Sequence, residues 1–452
     1  MTYSFEIESI DATLPLLGTQ TLELARDRGA SSHVTILLGR NGSGKSTLLR
    51  DLTQVFRRMG RGKRSASQQF RQIKSLSFVT DREHGTTINT QDLGPKSGLN
   101  DSEIAELFPR DRSPRRIIAV SFTPFDKFPA GDDTSRYFED AVDDPYYVYL
   151  GFRSETVGGS PRTRLLNSID QLAFRHASPG ANIRAATTLH SIGYHPRISI
   201  NFMPGNHDQV LRAGGSPPHI RSFFDSRKPL SYILDFENGG RGSDIDLGYE
   251  DLVGLRRSRI LRVSSVQLFP LDRDQPVEML QLSSGELNLL SGFLGLAAYL
   301  EDGCLVMIDE PENSLHPEWQ VRYVSMLNEV VKSQSGSHYI IATHSPLIVS
   351  GSAGNGATVL RLDSQPIRLN QATAEASPDA TLVNVFDVIT PGNTYIRQLV
   401  LEMMNLIETG QQNSSRAAKI YDFLASTYDS FQDDDPIKQL VRNIIVSRKN
   451  KE

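Results

Sequence analysis

Eight consecutive residues, Gly39-Arg-Asn-Gly-Ser-Gly-Lys-Ser46, have the types and spacing that chemistry on a phosphate group requires. Glycines at 39, 42 and 44 permit positive φ and close backbone approach, so successive N–H groups and the start of a following helix can converge on phosphate oxygens. Lys45 is a point charge for the β and γ oxygens of a nucleotide, and the Ser46 hydroxyl is a ligand for Mg2+. Arg40, Asn41, Ser43 and Thr47 complete the stretch expected to surround that nucleotide. A Gly-rich turn before a helix can be only a turn. Here every fixed position of G-x-x-x-x-G-K-[ST] is filled, between an apolar run and a helical one.

Three further groups lie far downstream. The run Cys304-Leu-Val-Met-Ile308 reads as a buried strand that ends in Asp309 and Glu310. Open parallel sheets bind ligands at the carboxyl ends of their strands, so Asp309 could hold the Mg2+ shell and Glu310 could face a water attacking the γ-phosphate. His344 ends a second such run, Tyr339-Ile-Ile-Ala-Thr343. Leu282-Ser-Ser-Gly-Glu286 precedes an apolar helix, where Ser284 with Glu286 nearby would also make an ordinary helix start.

In this order the elements resemble an ABC-type ATPase, in the soluble branch that includes RecF-like and structural-maintenance-of-chromosomes heads. The resemblance implies ATP and Mg2+ as cofactors, Glu310 as the group that polarises water, and His344 as the switch that contacts the γ-phosphate and senses its loss. It also implies that Ser284 and Gly285 bind the γ-phosphate held by another subunit, so that the active unit is a head-to-tail dimer or higher even oligomer. Two departures stand out. Relatives carry a lobe-coupling glutamine where this chain has Ser121-Phe-Thr-Pro-Phe-Asp126, and many have an aspartate where this chain has Ser314-Leu-His316-Pro317.

Within that branch, Glu-Pro-Glu-Asn-Ser-Leu-His-Pro and Ala-Thr-His-Ser-Pro look most like the ATPases of prokaryotic anti-phage defence, such as those of Septu, retron-associated and PARIS systems. This implies a separate effector subunit, a nuclease. Overcoming-lysogenization-type ATPases carry a carboxylate-rich nuclease domain after the histidine, but Asp433, Asp434 and Asp435 read as a hydrophilic turn, and no nuclease is expected in this chain. Two rivals remain open. One is a RecF-like repair ATPase that binds DNA itself; the other is a nucleotide-locked scaffold with little turnover.

The elements that must position these residues follow from periodicity. Val34 to Leu38 is the strand entering the phosphate loop, and a helix from Gly44 to about Gly60 leaves it. Tyr3, Phe5 and Ile7, then Thr21 to Ala25, alternate as an antiparallel pair that could wall the adenine. Arg115 to Phe122 and Thr358 to Leu362 are further buried strands, and Leu287 to Leu300 is a buried helix. Strands near 146–152 and 232–236 and helices near 164–174 and 249–259 place a mixed α/β insertion at 126–260, with no heptad run for a coiled coil. Tyr395 to Ile407, and Ile437 to Ile444 after an Asp435-Pro436 start, give a helical tail. The expected fold is therefore an α/β ATPase head, halves 1–125 and 261–375, split by 126–260 and extended by a helical tail at 376–452 that is the candidate for partner docking.

Composition narrows the classes. At 452 residues with 22% charged and 38% hydrophobic, the chain reads as an ordinary globular protein of more than one core. A net charge of -5 excludes a uniformly basic nucleic-acid coat. Arg57, Arg58, Arg61, Lys63, Arg64, Arg71 and Lys74 form a local basic run, read as a solvated loop in preference to a DNA contact because no aromatic residues are interleaved. The single Cys304 excludes an internal disulfide and fits a reducing, cytoplasmic setting; no stretch reads as a signal or membrane span. Gly205-Asn206-His207-Asp208 matches one element of di-metal phosphoesterases, without the partner elements, and is read as a polar turn.

Overall fold

The computed structural model describes residues 3–24, 32–61, 70–81, 84–94, 101–129, 146–151, 161–174, 179–205, 229–239, 241–243, 247–352, 355–363, 377–386, 388–390, 392–431 and 435–449. The Asn206-His-Asp208 tripeptide, Lys63 and Arg64, and Asp433 and Asp434 lie outside them.

A six-stranded parallel sheet carries the chemistry-bearing residues. Its order is β15 (Thr358–Arg361), β3 (His33–Leu38), β14 (His338–Thr343), β13 (Leu305–Asp309), β6 (Ile117–Ser121) and β7 (Tyr147–Leu150). The strands are continuous apolar runs because both faces are covered. Leu305 and Met307 of β13 join a core with Leu48, Leu49, Leu52 and Phe56 of the helix Lys45–Arg61. Val306 and Ile308 face the opposite core, with Leu289, Leu290, Phe293 and Leu294 of the helix Ser284–Tyr299. That helix is buried almost all round, as its mostly apolar sequence, interrupted by Asn288 and Ser291, requires.

Above the phosphate-loop helix lies an antiparallel sheet, β2 (Gly18–Glu23), β1 (Phe5–Leu14), β4 (Ile73–Thr80) and β5 (His84–Asn89). Phe5 of β1, Phe56 of the helix and Phe78 of β4 interlock at ring separations of 5.2, 5.5 and 5.4 Å. The strands β4 and β5 were hidden in sequence by the basic run beside them. Arg57 and Arg58 belong to the helix, not to a loop: Arg58 is buried and Arg57 lies over the Tyr147 ring.

A third sheet, antiparallel, runs β10 (Arg241–Ser243), β9 (Leu230–Asp235), β8 (Tyr194–Pro204), β11 (Leu261–Pro270) and β12 (Val277–Glu278). It shares a core with the helices Pro161–Phe174, Pro179–Ile192 and Ser284–Tyr299. Residue 260 is therefore no structural boundary. From Leu261 onward β11 pairs with β8, and β7, also placed in the insertion by sequence, completes the parallel sheet.

After β15 the chain is helical among the described residues. Thr394–Glu408, Ser415–Ser426 and Pro436–Lys449 enclose a separate small core of Ile396, Val400, Met403, Ile420, Leu424 and Val441. Gly410, at φ 73°, follows the first of these, and Asp435 Oδ1 accepts from Ile437 N–H at the start of the last.

Candidate functional site

The loop between β3 and its helix is held in a left-handed conformation at two points, Gly42 (φ 83°) and Gly44 (φ 103°). A Cβ on Gly44 would stand 2.3 Å from Gln72 Nε2 and 2.9 Å from Pro15 Cδ, so the residues that flank the ends of β4 and β1 press directly on the loop. Arg40 N–H donates to Asp363 Oδ2 at 3.0 Å, just beyond β15. Lys45 is almost fully buried, and its ammonium donates to Gly39 O at 2.6 Å and Arg40 O at 3.3 Å. Burial pulls Lys45 below its ordinary value, opposed by Glu310, Asp309, Glu312 and Asp363. Asn41 is exposed, and Ser43 is buried with its hydroxyl unpartnered.

Register in the parallel sheet brings the downstream residues to this loop. Asp309 ends β13 opposite Ala342 of β14 and Ser121 of β6. Ser46 Oγ donates to Asp309 Oδ1 at 3.1 Å across 263 residues of sequence. Burial pushes the Asp309 carboxyl up to about 7, reinforced by Glu310 and Asp126 and opposed by the Ser46 hydrogen bond and Lys45. A hydroxyl and a buried carboxylate under such repulsion are a donor set that a divalent cation would relieve.

Glu310 sits at φ 50°, a left-handed conformation that costs a non-glycine residue energy and is found where function over-determines the backbone. Its Oε2 accepts from Asn313 Nδ2 at 3.0 Å, and its Oε1 is 3.9 Å from His344 Nδ1. His344 follows β14 with its side chain 44% exposed, accessible to a ligand. His344 Nδ1 lies closer, 3.0 Å, to Glu312 Oε1. Thus Lys45, Ser46, Asp309, Glu310 and His344 form one group through described contacts.

Ser284 and Gly285 are not tied into it: among the described residues their neighbourhood makes no hydrogen bond to the phosphate loop. Ser283 caps the helix, its Oγ accepting from Glu286 N–H at 3.2 Å while Glu286 Oε2 accepts from Ser283 N–H at 2.9 Å. Tyr194 hydroxyl donates to Glu286 Oε1 at 2.9 Å. Ser284 is exposed in the first turn, whereas a Cβ on Gly285 would stand 2.6 Å from Ser314 O. Close packing within the chain therefore accounts for the glycine at 285, whatever else it does.

Four residues near the site escaped the sequence reading. Asp126 follows β6 in the segment that lacks the coupling glutamine; it is buried and accepts from Tyr149 hydroxyl at 2.6 Å. Lys127 Nζ donates to Thr47 Oγ1 at 2.8 Å. Glu312 is buried beneath His344, and Arg164 is buried beside the helix Ser284–Tyr299. The last donates to Ser121 O and Leu150 O, at 2.7 and 3.1 Å, and to Ser291 Oγ and Asn288 Oδ1, at 2.9 and 3.2 Å. It thereby joins the ends of β6 and β7 to that helix. Of these only Glu312 had a local signal, a third acid two positions past Glu310. His316, where an aspartate was looked for, accepts from Glu318 N–H at 3.4 Å and starts the helix Pro317–Val331.

Residues 152–350 match the family described as "AAA domain, putative AbiEii toxin, Type IV TA system". This span includes Ser284, Asp309, Glu310 and His344, but not the phosphate loop. No curated protein is significantly similar in sequence. Solved structures similar to the chain include cbiO1 from Clostridium perfringens, part of an ABC transporter complex, at 14% identity and a TM-score of 0.33, with 90% of this chain and 98% of that one covered. An SMC head domain from Thermotoga maritima aligns at 11% identity and a TM-score of 0.34, covering 82% and 100%. An Smc head bound to the C-winged helix domain of ScpA aligns at 12% and 0.38, covering 81% and 99%. The family match and the phosphate-loop geometry agree on a P-loop domain of ATPase type.

Proposed function

We propose that the chain is a Mg2+-dependent ATPase of ABC type that closes head-to-tail on ATP and uses that two-state cycle to control a separate effector, a nuclease of anti-phage defence. The observation that carries the ATPase reading is the Ser46–Asp309 hydrogen bond at 3.1 Å, which joins the phosphate loop to the strand end bearing Glu310. Gly39 to Thr47 would surround the phosphates, with Lys45 supplying charge. Ser46 and Asp309 would hold Mg2+, which when bound neutralises charge on the β and γ oxygens. Glu310, steadied by Asn313, orients the attacking water and accepts its proton. His344 meets the γ-phosphate. Ser284, exposed at a helix start, is available to a second chain's nucleotide, in keeping with a composite site.

Support for the defence setting is of a different kind. The strings Glu-Pro-Glu-Asn-Ser-Leu-His-Pro and Ala-Thr-His-Ser-Pro resemble defence ATPases, and the matched family's description names a toxin of a type IV toxin–antitoxin system. The helical tail, with a core of its own, is the proposed docking element for the effector. No helix among the described residues is long and apolar enough to cross a membrane.

The test has two stages. Multiple-turnover phosphate release that needs Mg2+ and is lost in Lys45→Ala establishes the ATPase; a single turnover followed by retained nucleotide would favour the locked scaffold. The tagged chain is then isolated from its host in ATP, again with Lys45→Ala as control. Recovery of a stoichiometric nuclease supports effector control, whereas recovery of DNA with no protein partner would move the reading to a repair-type ATPase.

A further inference from the structure

The buried carboxylate of Glu312 has no part in the roles assigned so far, yet it is a convergence point for the turn that carries His344. Two donors converge on one of its oxygens, Oε1, His344 N–H at 2.7 Å and Thr343 Oγ1 at 2.8 Å, and His344 Nδ1 lies 3.0 Å from the same atom. Thr343 Oγ1 in turn accepts from Ser345 N–H at 2.9 Å, and Ser345 Oγ donates to Gln320 Oε1 at 2.7 Å. One oxygen thus fastens the whole turn after β14 to the segment after β13. The other, Oε2, is buried and unpartnered. Leaving a carboxylate oxygen so costs desolvation that a merely structural side chain would avoid.

We propose that Glu312 is a positioning residue for His344. A carboxylate only accepts, so its oxygen 3.0 Å from Nδ1 favours the ring form that carries a proton there. The main-chain hydrogen bond and the close Nδ1 contact act from one residue on both the position of His344 and its ring rotation. Nε2 is left as the ring atom available to ligand. Glu310 Oε1, at 3.9 Å from the same Nδ1, would compete for that proton if Glu312 did not hold it, and Glu310 would then lose its freedom to act on water. Glu312 therefore keeps the sensing histidine and the hydrolytic glutamate apart. It acts through His344 and touches no substrate itself. This inference rests on the reading of His344 as the γ-phosphate contact.

The experiment compares Glu312→Gln, His344→Ala and the double variant. Three quantities are read on the full chain: turnover, the ratio of ATP to ADP affinity, and the tautomer of His344 by nitrogen NMR of the imidazole. Expected are an Nδ1–H tautomer in the unmodified chain and its loss in Glu312→Gln. Turnover should fall about 10-fold or more with a reduced ATP-to-ADP ratio, and the double variant should be no worse than His344→Ala alone. If His344→Ala impairs turnover but Glu312→Gln keeps the tautomer and the rate, the positioning role is overturned while the ATPase reading stands. Multiplicative effects in the double variant overturn it equally. If His344→Ala itself changes neither turnover nor the affinity ratio, the γ-phosphate role of His344 falls, and this inference with it. Glu312→Asp covers a failure of the glutamine variant to fold: it keeps the charge but withdraws it from Nδ1 by one methylene, and must give the same pattern in weaker form.

Discussion

At the scale of single residues, the site is a balance of desolvation against a few short contacts. Burial drives Lys45 and Asp309 toward their neutral forms, and it is the leading cause in both. The pair is therefore prepared for an ion and a phosphate that restore charge to both. Glu310 acts on both through its charge; its Oε2 accepts from Asn313, its Oε1 is 3.9 Å from His344 Nδ1, and its backbone is strained at φ 50°. Glu310→Gln keeps the hydrogen-bonding shape and removes the proposed base. Binding of ATP should persist while turnover drops by ~10²-fold or more, measured by equilibrium nucleotide binding beside phosphate release. Gly44→Ala tests the loop itself. With φ at 103° and Gln72 and Pro15 where the Cβ would go, the substitution carries a strain of about 1–3 kcal/mol or a displaced loop. A lower melting temperature together with weakened ATP binding is the expected result; unchanged binding would show that the loop does not need its present form.

At the scale of elements, the start of the helix Ser284–Tyr299 separates two explanations of the same motif. Ser283 and Glu286 are reciprocal caps, and Gly285 packs on Ser314 O, so part of Leu-Ser-Ser-Gly-Glu is explained within one chain. Ser284, which is exposed, takes part in none of these contacts. Ser283→Ala should cost about 1 kcal/mol of stability by removing the cap. On the proposed composite site, Ser284→Ala should leave the melting temperature unchanged and lower turnover, because the nucleotide it would meet belongs to a second chain. If neither substitution changes turnover, the motif is a helix start and no more. Arg164 gives this helix its connection to the sheet, spanning from Asn288 and Ser291 to the ends of β6 and β7. Burial pulls its guanidinium down to about 10, which only several acceptors at once can make tolerable.

At the scale of the whole molecule, the junction of the six-stranded parallel sheet and the sheet β2–β1–β4–β5 involves a neutral histidine. His338 Nδ1 accepts from Ile7 N–H at 3.0 Å, which places the proton on Nε2, directed at Thr35 Oγ1 2.9 Å away; Thr35 donates onward to Leu24 O at 3.2 Å. β14, β1 and β3 are joined through this one ring. Burial, aided by His33, holds His338 down to about 3. A depressed histidine is neutral in the folded chain while the unfolded chain takes up a proton below its ordinary value of 6.5, so the associated stability is present above that value and lost as pH falls. The slope from this group is about 1.4 kcal/mol per pH unit until the folded value is reached. Urea midpoints from about pH 7 to about pH 4.5 should fall accordingly, and less steeply in His338→Asn.

The sequence by itself determined the phosphate loop, the strands that lead to it, to Asp309 and to His344, and the buried helix before them. Each is local: a fixed glycine spacing, or an apolar run long enough to be covered on both faces. The α/β class follows from the same runs. The helical tail was legible for the same reason, since Ile396, Val400 and Met403 recur at helical spacing. Tertiary structure decided what local pattern cannot encode. Parallel register brought Asp309 to Ser46 across 263 residues. Pairing of β8 with β11 erased the boundary at 260, because a sheet edge is completed by whichever strand lies beside it in space. The segment β4 to β5 was obscured because its buried positions, Ile73, Leu76, Phe78 and Ile88, define a face that only packing reveals. Glu312, Asp126 and Arg164 declare themselves through burial and convergent donors, which are properties of a folded neighbourhood and not of the residues alone.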